Sequence, residues 1–255
     1  MSRNRKAPFS SKNYPTPKKT KPNQYREYTN EDIVVTPNIK KTFHLKDLKE
    51  VDALTEAQGQ AFAAWADGQN LVLRDFAGTG KTFLALTMAL ECVLDPKTPQ
   101  KKIVIIRSTA QGRDQGFLPG DIDEKCAPFE ATYSAILDEL FTWRNTYENM
   151  KEIGLIEFET TSFLRGRSFH NAVIVFDEMQ NESEQVIDTV ITRTGKDSRL
   201  ILSGDGLQSD INNSGFGAIS KILNKMKSFT TINFELNDIV RSGTAKEYLI
   251  AKYSK

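Results

Sequence analysis

From Leu54 onward the chain alternates between short apolar runs and longer stretches with helical spacing. The runs Leu71–Leu73, Ile103–Ile106, Leu155–Phe158, Val173–Phe176, Leu200–Leu202 and Ile232–Leu236 are short and mostly unbroken, which predicts buried strands. Between several of them the pattern predicts helices over 55–66, 82–94, 124–148 and 183–192. Buried strands alternating with helices imply an α/β fold, with a mainly parallel sheet covered on both faces. Ligands in such folds collect at the carboxyl ends of the strands. Polar and glycine-rich segments follow the apolar runs at those ends.

The first of these segments is the most specific. Leu71-Val72-Leu73 leads into Arg74-Asp75-Phe76-Ala77-Gly78-Thr79-Gly80-Lys81-Thr82-Phe83. An apolar helix with Leu84, Leu86, Met88, Leu90 and Val93 follows and stops before Asp95-Pro96. Strand, glycine loop and helix in that order form a phosphate-binding loop. Backbone N–H groups from Ala77, Gly78, Thr79, Gly80, Lys81, Thr82 and Phe83 cradle a polyphosphate, and the helix dipole adds to them. Lys81 reaches the β- and γ-phosphates, and the Thr82 hydroxyl holds Mg²⁺. The full pattern has glycine six residues before the lysine, where this chain has Asp75. That acid either shapes the turn from its backbone or marks a weak site.

Later strand ends complete the chemistry. Val173–Phe176 runs into Asp177-Glu178. Asp177 is placed to hold Mg²⁺, and Glu178 to orient and deprotonate an attacking water. A second acid favours hydrolysis over transfer to a small molecule. After Leu200–Leu202 comes Ser203-Gly204-Asp205-Gly206-Leu207-Gln208, where Gln208 can bond the γ-phosphate or the water. In Thr55-Glu56-Ala57-Gln58, at a helix start, Gln58 can read the edge of adenine. Transition-state charge calls for a guanidinium. Among Arg107, Arg165, Arg167, Arg193 and Arg241, the choice falls on Arg241, in Asp238-Ile239-Val240-Arg241-Ser242. Arg165-Gly166-Arg167 is a candidate grip for nucleic acid.

Charge changes the picture mainly at the N-terminus. Residues 1–26 hold eight Lys and Arg, no acid and four prolines, which predicts a basic flexible tail able to contact phosphate backbones. Residues 27–50 form a lead-in with a short strand at Ile33-Val34-Val35, and the main domain spans 51–255. The whole chain is 39% hydrophobic and 26% charged with a net charge of +1, so no global basic field announces nucleic acid. Two cysteines, Cys92 and Cys126, are expected as buried thiols in helices, and two histidines argue against a His-built metal centre. No stretch is apolar enough to span a bilayer and no secretory signal is read, so a cytoplasmic location is expected.

These residues together resemble the PhoH family of ATPases. The resemblance covers roughly residues 51–250. It rests on Phe76–Thr82, Gly116-Phe117-Leu118-Pro119-Gly120-Asp121, Phe163-Leu164-Arg165-Gly166-Arg167, Phe176-Asp177-Glu178-Met179-Gln180-Asn181, Ser203-Gly204-Asp205 through Gln208, and Asp238-Ile239-Val240-Arg241, in that order. Met179 stands where the family usually has alanine. The resemblance implies a RecA-like three-layer sandwich, similar to the first domain of superfamily 1 helicases. It implies ATP and Mg²⁺ as ligands and ATP hydrolysis as the activity. RNA or single-stranded DNA is the implied partner, since some fused members act on RNA. The family is known as phosphate-starvation-inducible in bacteria and is common in phages, which would place a phage-encoded member in the host cytoplasm. Helicases close the ATP site between two such domains, so a second face from another subunit is expected here, as a homo-oligomer such as a ring. The alternatives are a slow ATP-binding regulatory or scaffold protein, motivated by Asp75, and a phosphotransferase, which the Asp177-Glu178 pair disfavours.

Overall fold

The computed structural model describes residues 42–108, 122–164, 166, 168–206 and 214–253. The basic tail, the Ile33–Val35 strand, the Gly116–Asp121 loop, Arg165, Arg167 and Gln208 lie outside the described residues.

Among the described residues, six strands form one sheet: β1 (Asn70–Arg74), β2 (Lys102–Arg107), β3 (Ile156–Thr160), β4 (Ala172–Asp177), β5 (Arg199–Gly204) and β6 (Phe229–Asn233). Their order is β3-β2-β4-β5-β1-β6, and every pair is parallel. Side chains alternate between faces along each strand. Leu71, Leu73, Ile103, Ile105, Val173, Val175 and Ile201 enter one core with helices α1 (Glu56–Ala66), α2 (Lys81–Leu94), α3 (Ile122–Phe141) and α4 (Thr146–Glu152). Val72, Val104, Ile106, Ile174, Phe176, Leu200 and Leu202 enter the other, against α5 (Glu184–Thr192) and α6 (Phe216–Leu223). The result is three layers, and all six residues of β4 are buried, as a central strand covered on both sides requires. A last helix, α7 (Gly243–Tyr253), has no buried residue.

Two expectations need correction. The stretch 124–148 is two helices, because Thr142 (φ 58°) and Asn145 (φ 57°) turn left-handed between them. The break lets Trp143 pack on Phe43 and Phe141, with ring centroids 5.6 and 5.5 Å away, and the Asp138 carboxylate accepts the Thr146 N–H. The last strand ends at Asn233 rather than running on to Leu236. Beyond it the Phe234 N–H still reaches Arg74 O, and then the Asp238 carboxylate accepts the Glu235 N–H to start a tight turn. In the described part of the lead-in, Phe43 and Leu48 enter the main core. Cys92 and Cys126 are buried in helices as expected.

Candidate functional site

The β1–α2 turn forms the loop that the sequence predicts. Gly78 (φ 80°) and Gly80 (φ 83°) take left-handed conformations, and Gly80 caps α2. Asp75 is left-handed too, at φ 73°. That accounts for glycine as the usual residue at this place, and Asp is among the few side chains that tolerate the region. Its N–H donates to Gly204 O at 3.1 Å, and its carboxylate takes the Arg74 Nε at 3.1 Å. A Cβ on Gly206 would lie 3.2 Å from Asp75 Oδ1, so the acid leans toward the end of β5. Asp75 therefore shapes the turn and carries its own cation.

Lys81 fills the loop. Its ammonium donates to the carbonyls of Asp75 and Phe76, the latter at 2.7 Å. Burial pushes its pKa down, and the carboxylates of Asp205, Glu178, Asp177 and Asp75 oppose that shift. Thr79 is buried, and its hydroxyl donates to Phe76 O at 3.0 Å, tightening the turn. Gln58 braces the loop from α1: its Nε2 donates to Thr79 O at 3.0 Å and its Oε1 accepts from Leu54 N at 2.8 Å. An amide carries two donor hydrogens and two lone pairs, so these two bonds use half of its capacity. The Phe83 ring packs against the core, and its backbone N–H lies in the first turn of α2, where such groups have no partner within the helix.

Asp177 ends β4 beside the loop. The Thr82 hydroxyl donates to it with 3.2 Å to each carboxylate oxygen. The Tyr133 hydroxyl donates to its Oδ2 at 3.1 Å, and Arg107 Nη1 reaches that hydroxyl at 3.5 Å. Burial and the Asp177 charge push the Tyr133 phenol well up, so it stays a donor. A hydroxyl beside a carboxylate is an oxygen set that suits Mg²⁺, which prefers few protein oxygens plus water and phosphate.

Glu178 follows in a left-handed conformation, φ 55° and ψ 36°. Burial, then the Asp177 charge, push its carboxyl up, while the Gln180 amide, Arg107 and Lys81 pull the other way. Gln180 is buried, donates to Glu178 Oε2 at 2.6 Å and accepts from Asp205 N at 3.0 Å. A Cβ on Gly204 would lie 3.0 Å from Gln180 Oε1, so this glycine makes room for the link. Gln180 is visible in the Asp-Glu-Met-Gln run, but the run alone assigns it no role; Tyr133, a mid-helix aromatic, leaves no signal at all.

Arg241 lies over the loop of its own chain. A Cβ on Gly78 would meet its Cδ at 3.1 Å and its Nε at 3.2 Å. Val240 N donates to Gly78 O at 3.0 Å, which fixes this segment to the loop. Tyr253 of α7 packs edge-on against Phe76, with ring centroids 5.3 Å apart.

A family model for PhoH-like protein matches residues 50–253. The chain belongs to the PhoH family. It is 31% identical over 211 residues to Protein PhoH of Escherichia coli (strain K12), covering 81% of this chain and 59% of that protein. It is 33% identical over 170 residues to the PhoH-like protein of Bacillus subtilis (strain 168), covering 65% and 52%. The chain thus spans between half and three fifths of the length of these PhoH relatives. Among solved structures, the large terminase of a thermophilic bacteriophage in complex with ADP aligns with a TM-score of 0.50 at 11% identity, over 79% of this chain and 50% of that one. That likeness bears on the fold alone. The PhoH-family fold here is the RecA-like, phosphate-loop type.

Proposed function

We propose that this PhoH-family protein binds ATP with Mg²⁺ and hydrolyses it, with turnover coupled to RNA or single-stranded DNA. The observation that carries the reading is the meeting of Thr82 with Asp177 at 3.2 Å, beside Lys81 and Glu178. Loop N–H groups and Lys81 bind the phosphates, and Lys81 exchanges its two carbonyl partners for phosphate oxygens. Thr82 and Asp177 would hold Mg²⁺, which supplies charge neutralisation at the phosphates. Glu178, its carboxyl already pushed up by burial, accepts the proton of the attacking water. Arg241, lying over Gly78, is the arginine for the γ-phosphate and acts in cis.

Nucleic-acid coupling is supported by the acid-free basic segment 1–26. A homo-oligomer would add a second face to the site, and sedimentation velocity with and without nucleotide tests it. Among the described residues no helix is long and apolar enough to cross a membrane. The slow regulatory alternative rests on Asp75, and the Arg74–Asp75 pair at 3.1 Å weakens its motivation.

The deciding experiment measures phosphate release with and without RNA at low salt. It compares the full chain, Lys81→Ala and a deletion of residues 1–26. Loss of a phosphate-site cation should cut turnover by about 10²-fold or more. The deletion should abolish RNA stimulation and spare basal turnover. Equal rates with and without RNA would remove the coupling, and phosphate release unaffected by Lys81→Ala would remove the site.

A further inference from the structure

We propose that Tyr133 is a positioning residue that holds Asp177 ready for the metal and keeps Arg107 off its carboxylate. The inference rests on the Mg²⁺-nucleotide reading above.

Arg107 and Asp177 are direct register partners across the β2–β4 pair, so a guanidinium stands one strand away from the metal acid. Arginine in that place would ordinarily close on the carboxylate as a bidentate pair and take its lone pairs. A divalent ion would then have to displace it. Here the arginine is held otherwise. Its guanidinium lies over the rings of Phe129 at 5.3 Å and Tyr133 at 6.0 Å, both supplied by α3. The Tyr133 hydroxyl stands between cation and acid, donating to Asp177 Oδ2 at 3.1 Å and receiving Arg107 Nη1 at 3.5 Å.

The phenol occupies a lone pair of Oδ2 without adding charge, while the Thr82 hydroxyl stands 3.2 Å from both Oδ1 and Oδ2. Arg107 still contributes positive potential to the two adjacent acids, one hydroxyl removed. Tyr133 is fully buried, so its ring is also part of the core. Core filling alone would be served as well by phenylalanine; the hydroxyl's placement is what the packing does not explain. Groups that orient a metal ligand through a hydrogen bond typically change metal affinity by about 10–100-fold when removed.

The test compares the full-length protein with Tyr133→Phe, Arg107→Met and the double variant. Mn²⁺ binding in the presence of ADP is read by electron paramagnetic resonance, alongside metal-free ADP affinity and thermal unfolding. Tyr133→Phe keeps the ring, and should weaken Mn²⁺ binding about tenfold with metal-free ADP affinity unchanged. Adding Arg107→Met should restore most of the loss, because the competing guanidinium is gone. Unchanged Mn²⁺ binding with a lowered melting temperature would reduce Tyr133 to core packing and overturn the proposal. A double variant as weak as Tyr133→Phe would overturn the exclusion of Arg107. A parent protein that binds Mn²⁺ and ADP but releases no phosphate sinks the hydrolysis reading and leaves this test valid.

Discussion

Both ends of the sheet hold charged or polar networks, and the two networks differ in where their bonds end. At the carboxyl end, Thr82, Tyr133 and Gln180 all converge on Asp177 and Glu178, two adjacent carboxylates with lone pairs to spare. At the amino end, Arg199 Nη2 donates to the carbonyls of Trp65 at 2.7 Å and Gln69 at 2.8 Å, and its guanidinium stacks 3.3 Å over the Trp65 ring. Nearby, Cys92 Sγ donates to Gln100 Oε1, and Gln100 Nε2 donates to Asp197 O. These lower bonds end on backbone carbonyls or a neutral amide, and they close turns between elements. The upper ones orient acids; backbone strain does not separate the two ends, since Glu178 above (φ 55°) and Asp197 below (φ 56°) are both left-handed. An end built to orient charge should lose rate when altered; an end built to close turns should lose stability.

Glu178→Gln is the sharpest way to break that contrast. Removing the carboxylate proposed as general base should lower ATP turnover by about 10²–10⁴-fold. Nucleotide affinity should survive, and the melting temperature should hold or rise slightly, because a like-charge neighbour of Asp177 is gone. Phosphate release and differential scanning calorimetry on one preparation check both halves. A fall of several degrees alongside the lost turnover would mean that the acid also holds the fold together.

Arg199→Met is the reciprocal experiment. It removes two charge-assisted hydrogen bonds, leaves the Trp65 and Gln69 carbonyls unmatched and deletes a cation–π contact. The expected cost is about 3 kcal/mol, or roughly 10 °C in melting temperature. The strands separate this site from the β1–α2 loop by roughly 17–20 Å. Turnover per folded molecule at 20 °C should stay at the parent value.

What can be read from the sequence divides along the same line. The apolar runs mark β1, β2, β4 and β5 closely, since burial on both faces leaves little room for polar interruption, whereas the edge strands β3 and β6 carry polar residues and β6 begins three residues before its run. Lys81, Thr82, Asp177 and Glu178 are legible because each lies at a strand end, inside or beside a motif with fixed spacing. Gln58 falls at a helix start as expected, but its bond to Thr79 O cannot be read from spacing. Tyr133 is illegible, because its hydroxyl meets Asp177 only through the packing of α3 on the sheet. Arg199 and Trp65 are 134 residues apart, and no local pattern joins them. The break at Thr142–Asn145 escapes the pattern because it contains neither glycine nor proline, and α6 and α7 escape it because they are short or without a buried face.

Gln180→Met sharpens the contrast within the upper end. The variant keeps side-chain length and loses the bonds to Glu178 and to Asp205 N, so Glu178 is no longer aimed. Turnover should drop about tenfold, the kinetic equivalent of about 1.4 kcal/mol, with KM for ATP little changed. Introduced into Glu178→Gln, the same substitution should cost almost nothing further. Independent, multiplying losses would show that Gln180 acts on something other than Glu178.

The smallest effect belongs to Glu91, near the lower end of α2, where burial pushes the carboxyl up to about 7. Its unfolded value lies near 4.5. Between those two pH values the folded chain keeps a proton that the unfolded chain has released, so stability falls as pH rises across that window. Above about 7 both forms are ionised, and the full cost of the buried carboxylate is present. Glu91→Gln stays neutral throughout. Its advantage over the parent should be near zero below pH 4.5, grow through the window, and level off at about 1 kcal/mol above it. Urea midpoints at pH 5 and pH 8 measure the difference, and turnover at either pH should not respond. A constant offset between the two proteins at both pH values would mean that packing rather than ionisation separates them. A change in turnover would mean that charge at the lower end of α2 is felt at the phosphate loop, and that the two ends of the sheet are not independent.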